Sequence, residues 1–517
     1  MPADVVVIGL DAAEATLLER WGVAGVLPTF GELLRDGATA TLANSLETLP
    51  GAIWPELVTG ISGGRQALFY HPAQLRTGEA VPRPVGPDLV DPRRYYWSVA
   101  SRAGRRVAVV DQPQTIPTPD LRGLQVLEWG LHDRNFSVAS DPPDLLDRLL
   151  GRHGDHPVAT CDTHHRMEDE GYLDLRRALL DGATAKSRMA VELLESGDWD
   201  LFACTFGESH CVGHQFWHFF DPSHPRHRAD APEDLQRAVP DVYRRLDEGV
   251  GALIEAAGPG ARVLVVASHG MGTKIGGPQL LPEVLIRLGM GAVTGARLKL
   301  RSAIPPGLRR AIHRALPKGT LDHVPLDVGD SPYKLDSPAK RAITVHNNRC
   351  GGIRFNVAGR EPAGGVAPED VVDLTEELRT ELLDLRDPAT SEPIVERVTT
   401  AEEAFGPDHH LDLPDVMVVF RSDLGPLEAC TSRRVGRVDR PTFVPQLPRT
   451  GDHHVQSRLW ATGPGFPAAA TLAPANVLDV APTILRLLDV ELPGDLDGRP
   501  MEELLAAATP SLSDHGS

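Results

Sequence analysis

Five short apolar or β-branched runs punctuate the chain, Val5–Ile8, Val107–Val110, Leu201–Thr205, Val263–Ala267 and Val416–Phe420. They lack the polar–apolar alternation of a strand with one wet face, so each is expected to be covered on both sides. Helix-like segments, among them Thr29–Asp36, Leu173–Ser196 and Val242–Ala257, lie between several of them. Strands of this kind separated by helices predict an α/β fold, with a mostly parallel central sheet and helices on both faces. Ligands of such sheets gather at the carboxyl ends of the strands.

The 517 residues, 41% apolar and 24% charged, are enough to bury a large core. Acidic residues outnumber basic ones by 71 to 52, a formal charge of −19, which argues against a nucleic-acid scaffold role and against an anionic membrane surface as partner. The five cysteines, Cys161, Cys204, Cys211, Cys350 and Cys430, form no C-x-x-C pair. They support neither a disulfide framework nor a cysteine zinc site, and a reducing cytoplasm fits them best. The strand-like run at Val5 leaves no room for a signal peptide, and no stretch of 18 apolar residues follows, so no membrane span is expected. Residues 285–335 break the strand–helix pattern with the basic run ARLKLRSAIPPGLRRAIHRALPKG. This divides the chain into a first core part (1–284), a basic insertion or cap (285–335), a second core part (336–503) and a disordered tail (504–517).

Polar residues follow the strands. Asp11 comes after VVVIGL, Glu208 and His210 after LFACT, Ser268 and His269 after VLVVA, and RTGDHHVQ supplies Asp452, His453 and His454. In CTFGESHCVGHQFWH, residues 204–218, His210, His214 and His218 recur every four residues, which places them on one helical stripe. Taken alone, each residue has a plainer reading: a solvated helix face for the trio, a helix cap for Asp11, a turn for a glycine-flanked histidine. Together, histidines and an aspartate from four segments at one sheet edge have the composition of a zinc or manganese site.

At this point the chain resembles the alkaline phosphatase superfamily, in its type I phosphodiesterase/nucleotide pyrophosphatase-like branch. GLDAAE is similar to that family's first metal-binding Asp segment, LPTFGELLRDGA to the helix after it, and ETLPGAIWPELVTG to its nucleophile segment. ESHCVGHQFWH resembles the D-x-x-x-H pair, ASHGMG the S-D-H-G-M motif, and TGDHH the final G-x-H. GGIRFNVAGREPAGG and the closing VLDVAPTILRLLDVELPGDLDGRP also follow the family pattern.

The resemblance implies an alkaline phosphatase-like fold and two divalent metal ions, zinc ahead of manganese, flanking a Thr or Ser nucleophile. It implies hydrolysis of a small phosphorylated substrate, at a phosphodiester or nucleotide pyrophosphate bond. Phosphomonoester hydrolysis and a degenerate phosphoryl-ligand-binding protein are the alternatives. Carried over residue by residue, it makes Thr48 the nucleophile, Asp11, Thr48 and His269 one metal set, and His210, His214 and His453 the other. His218 falls to an outer or surface position. Counting back from Thr59-Gly60 puts the usual nucleophile position at Pro50, which cannot serve, so Thr48 needs a local shift and Ser45 is the fallback. Thr48 read as a plain helix cap stays open beside this.

Two family carboxylates are replaced, by His210 and by Ser268. Glu208 and Asp452 are therefore candidates for an outer or substitute ligand role, together with Ser268. Asn347 and Asn348 are candidate substrate contacts. The absence of C-x-P-x-R and S-x-P-x-R disfavours a sulfatase, and the lack of an expected membrane anchor disfavours a lipid-headgroup phosphotransferase. Oligomeric state is left open.

Overall fold

The computed structural model describes residues 2–45, 47–69, 73–84, 91–131, 137–158, 160–161, 167–291, 334–345, 347, 349–440 and 449–506. Its centre is a ten-stranded sheet. Ala3–Leu10 lies in the middle, parallel to Trp199–Phe206 on one side and to Arg262–Ala267 on the other. Val107–Val110 and Gly123–Leu127 continue the parallel run beyond Trp199–Phe206. Ser457–Thr462 pairs antiparallel with Arg262–Ala267 and with Ala38–Ala43, so the sheet is mostly rather than wholly parallel.

Both faces are covered, as the lack of alternation predicts. Val6, Ile8 and Leu10 pack into one core with Phe202, Cys204 and Phe206, under the helices Asp169–Glu195 and Ala238–Ala257. Val5 and Val7 face the opposite core with Leu201, Ala203, Ile53 and Trp54, under Ile53–Thr59 and Val480–Leu487. Each fully buried side chain of this size stabilises the fold by about 1.5–3 kcal/mol.

One strand departs from expectation. Val416–Phe420 joins not the central sheet but a separate four-stranded antiparallel sheet with Ala342–Val345, Cys350–Phe355 and Val395–Thr400. That sheet has its own core, built on Ile353, Phe355, Val416, Val418 and the helix Val371–Leu383. A strand buried on both faces reads alike in either sheet, so the run alone could not assign it. The stretch 336–503 thus holds a second sheet before the chain returns to the first at Ser457. Most of the basic segment, 292–333, lies outside the described residues. The last described helix, Glu502–Ala506, buries Leu504 and Leu505, so order extends past the expected start of the tail.

The helix Ile53–Thr59 carries a buried carboxyl. Glu56 accepts from Gly63 N at 2.7 Å, and burial pushes its pKa from 4.5 up to about 7. The folded state therefore holds this proton more tightly than the unfolded chain, and stability falls as pH rises from about 4.5 to about 7, then levels off. Glu56→Gln keeps the acceptor and cannot ionise. It is expected to be more stable than the parent by roughly 3 kcal/mol at pH 8 and equal to it at pH 4. Chemical denaturation at the two pH values checks this, and a pH-independent difference would contradict it.

Candidate metal centre

Strand register brings the candidates together. Leu10 is level with both Phe206 and Ala267, so Asp11, Glu208 and the Ser268–His269 pair leave the sheet at one edge. The main-chain ladder runs one step further, from Asp11 N to Phe206 O (2.9 Å) and from Ser268 N to Leu10 O (3.2 Å).

From Glu208 the chain forms the helix Glu208–Phe220, buried through Phe219. This excludes a solvated face for the histidine stripe. Gly213 and Gly451 let the helix approach the strand Gly451–His454: a Cβ on Gly451 would stand 2.2 Å from Gly213 O, and one on Gly213 would stand 2.6 Å from Met271 Cγ. That strand pairs with Gly270–Thr273, which continues from His269, with His453 opposite Met271.

Three imidazoles converge there. His210 Nε2 lies 2.7 Å from His453 Nε2 and 2.9 Å from His214 Nε2, and all three side chains are buried. Among the described residues these form the one group of three or more His, Cys, Asp or Glu side chains placed to hold a metal ion. The donor set fits one. His214 Nδ1 lies 2.8 Å from Gly451 O, which can only accept, so the proton sits on Nδ1 and the Nε2 lone pair faces the cluster. His210 Nδ1 faces Asp11 Oδ2 at 3.3 Å, which favours the same tautomer. Lone pairs facing at such distances repel unless a cation or a shared proton lies among them. Metal–nitrogen bonds of 2.0–2.1 Å place tetrahedral ligand atoms about 3.3 Å apart, so the rings need open by only about half an ångström.

Asp11 is fixed on several sides. Its Oδ1 accepts from Trp54 Nε1 at 2.7 Å and from Ser268 Oγ at 3.4 Å. His269 packs its ring 4.6 Å from that of His453, and its Nδ1 meets Ser268 Oγ at 2.9 Å. Its Nε2 is buried with no hydrogen-bond partner among the described residues, and burial drives its pKa down to about 3, so the ring is a neutral donor of a lone pair. Ser268, where the family has a carboxylate, bridges Asp11 and His269. Asp452 lies behind His453, with Oδ1 accepting from His453 N at 3.0 Å and standing 3.6 Å from Nδ1.

Other candidates are placed differently. Glu208 is buried but pairs with His156 Nε2 at 3.0 Å, an imidazole outside the candidate set, and so orients none of the clustered histidines. Burial raises its pKa, yet the His156 bond and the charge of Lys186 outweigh this and hold the carboxyl below its ordinary range. Lys186, fully buried, pairs with Asp111 at 2.5 Å and donates to Gly130 O and Thr205 O. This charge network packs beneath the start of the histidine helix. Removing one partner of such a buried pair costs about 3–5 kcal/mol. His218 is not at the surface: it is buried, with Nδ1 3.1 Å from Thr450 Oγ1, and stands outside the cluster.

Thr48 is buried in the turn that precedes Ile53–Thr59. It is not that helix's cap, which is Ala52 with no side-chain cap bond, so the capping role is excluded. Six residues on, Trp54 ties the segment to Asp11. Ser45 donates to Glu47 Oε2 at 3.0 Å, and Glu47 pairs with Arg397 at 2.7 Å. Asn347 is occupied by main chain: Nδ2 donates to Phe69 O, and Oδ1 accepts from Arg349 N and Cys350 N. Asn348 lies outside the described residues. Sequence reasoning missed Arg449, whose Nη1 lies 3.3 Å from His214 Nε2, and Trp54, which orients Asp11. The first had a signal in its place at the head of RTGDHH.

No helix among the described residues is long and apolar enough to cross a membrane. The chain matches the family model of type I phosphodiesterase/nucleotide pyrophosphatase over residues 5–301. No curated protein matches it significantly. Solved structures similar to it include murine ectonucleotide pyrophosphatase/phosphodiesterase 5, at 12% identity over 96% of this chain and 97% of that one, with a TM-score of 0.48. An inactive variant of the murine protein in complex with AMP gives a TM-score of 0.47, at 12% identity over 96% and 97% of the two chains. The human protein gives 0.49, at 10% identity over 97% and 98%. The family model spans more than half of the chain, and the chain belongs to the type I phosphodiesterase/nucleotide pyrophosphatase family, hydrolases acting on phosphoric ester bonds.

Proposed function

We propose that this hydrolase is metal-dependent and cleaves a phosphodiester or nucleotide pyrophosphate bond through a phosphorylated Thr48. The observation that carries the reading is the convergence of His210, His214 and His453 on one point at the sheet edge. These three imidazoles would hold one divalent cation. Asp11 and His269, with the Thr48 oxygen, would hold a second, weaker one, because Ser268 replaces a carboxylate there. Zinc suits a set dominated by imidazole, with manganese as the alternative. Bound cations would lower the pKa of the Thr48 hydroxyl and neutralise charge on the phosphoryl oxygens.

The chain's own residues do the rest. The Thr48 hydroxyl gives up its proton to solvent as Oγ attacks phosphorus, a new O–P bond forms, the bond to the leaving group breaks, and the leaving oxygen takes a proton from water. Water then attacks the Thr48 phosphoester, releasing phosphate or a phosphomonoester and restoring the hydroxyl. Trp54 keeps Asp11 aimed, and Arg449 adds positive charge beside His214. A cytoplasmic location belongs to the same proposal and rests on five separate, buried thiols.

Exhaustive chelation is expected to abolish hydrolysis of an aryl phosphodiester, and added Zn²⁺ or Mn²⁺ to restore it. Undiminished turnover after chelation would reject the metal mechanism. Metal binding without turnover of any phosphodiester, pyrophosphate or phosphomonoester would favour a protein that binds phosphoryl ligands without cleaving them.

A further inference from the structure

Two arginines on one strand, or just before it, are treated in opposite ways. Arg354, inside Cys350–Phe355, is 1% exposed and its donors are taken up: Nε by Glu361 at 2.8 Å, Nη1 by Leu413 O at 2.6 Å, Nη2 by Thr77 Oγ1 at 3.1 Å. Arg349, immediately before the strand, is 6% exposed, and its guanidinium makes no hydrogen bond or ion pair among the described residues. A chain with 71 carboxylate side chains has no shortage of counterions to pair with it. Asp452 and Glu396 act on it only from beyond ion-pair distance, so the buried guanidinium is incompletely paired, a strongly unfavourable state that an anion from outside the chain would relieve.

The placement says which anion. Asn347 holds the loop by accepting from both Arg349 N (2.9 Å) and Cys350 N (3.3 Å) while donating to Phe69 O (2.9 Å), so Arg349 leaves a fixed backbone. Its charge is felt by Asp452 and His454, the two residues flanking His453.

We propose that Arg349 is an anion-binding residue of this site that holds phosphoryl oxygens of the substrate. This rests on the phosphoester-hydrolase reading for the identity of the ligand, but not for the existence of the anion site. The planar guanidinium offers five N–H donors in a fork that matches two oxygens of a phosphoryl group. The group held is either the reacting phosphoryl or its neighbour in a pyrophosphate.

The test compares the full-length, zinc-loaded parent with Arg349→Met and Arg349→Lys. Calorimetric titration uses inorganic phosphate and inorganic pyrophosphate, thermal melting is followed with and without phosphate, and kcat/KM is measured on an aryl phosphodiester and a nucleotide pyrophosphate. Arg349→Met is expected to melt no lower than the parent without anion, to lose the phosphate-induced rise in Tm, and to bind anion about 10- to 100-fold more weakly at unchanged zinc content. Arg349→Lys should recover part of that affinity. A loss of kcat/KM on both substrates places the guanidinium on the reacting phosphoryl; a loss on the pyrophosphate alone places it on the neighbouring one. If the parent hydrolyses neither substrate yet phosphate binding still depends on Arg349, the hydrolase reading fails and the anion site stands. Anion affinities within threefold of the parent in Arg349→Met, or a destabilised variant with its anion affinity intact, would overturn the proposal.

Discussion

Thr48→Ala is expected to lower kcat on an aryl phosphodiester by on the order of 10³-fold or more, which corresponds to at least about 4 kcal/mol of lost transition-state stabilisation. The protein should stay folded and keep its metal. The hydroxyl caps no helix, since Ala52 occupies the cap position, and losing one buried hydroxyl costs only about 1 kcal/mol of stability. The two expected effects differ enough to separate a nucleophile from a structural threonine. Steady-state kinetics beside a denaturation curve makes the comparison. Near-parent kcat in a folded Thr48→Ala protein would end the candidacy of Thr48, and Ser45→Ala would be made next. Ser45 is the weaker candidate on geometry, because its hydroxyl already donates to Glu47, which in turn pairs with Arg397.

His210→Gln and His214→Gln are each expected to weaken metal binding by more than about 100-fold, since even residues that merely orient a ligand typically matter 10- to 100-fold. Activity at limiting zinc should fall in step with metal content. Glutamine fills most of the ring's volume, so loss of fold is not the expected route. Equilibrium zinc competition against a chromophoric chelator, with circular dichroism as the check on folding, decides it. Zinc affinity within tenfold of the parent in either variant would remove that histidine from the site.

How far the sequence could be read depended on what each residue signals locally. The central strands are legible as strands because a run such as Val263–Ala267 lacks polar alternation and must be covered on both faces, although the run does not say in which sheet. The site edge follows from them, since Asp11, His210 and Ser268–His269 each lie just beyond a strand and register sets them level. Helical spacing puts His210 and His214 on one stripe, and it is the polar residues of the other segments at the same sheet edge that favour a site over a solvated face. What failed to show depends on contacts between distant segments. Glu208 reads as a neighbour of the histidines, but its partner His156 arrives from 52 residues away, and Lys186 and Asp111 complete a network that no spacing announces. Val416–Phe420 carries the same pattern as the central strands and belongs to the other sheet. A single arginine such as Arg349 carries no periodicity, and only its burial and lack of partners distinguish it from a surface charge, whereas Arg449 stands at the head of the RTGDHH motif.

The three clustered imidazoles are expected to form a metal site stronger than the one at Asp11 and His269. The charge of two divalent cations exceeds that of Asp11 and a Thr48 alkoxide, the anions assigned to them, so the second cation should bind well only when a phosphoryl group is present. The most direct measurement is a zinc titration of the chelated full-length protein in phosphate-free buffer, repeated with saturating phosphate. The expected result is one tight equivalent, abolished in His214→Gln, and a second equivalent that becomes tight only with phosphate. Two tight equivalents without phosphate would contradict the asymmetry, and no tight equivalent in either buffer would contradict the metal centre itself.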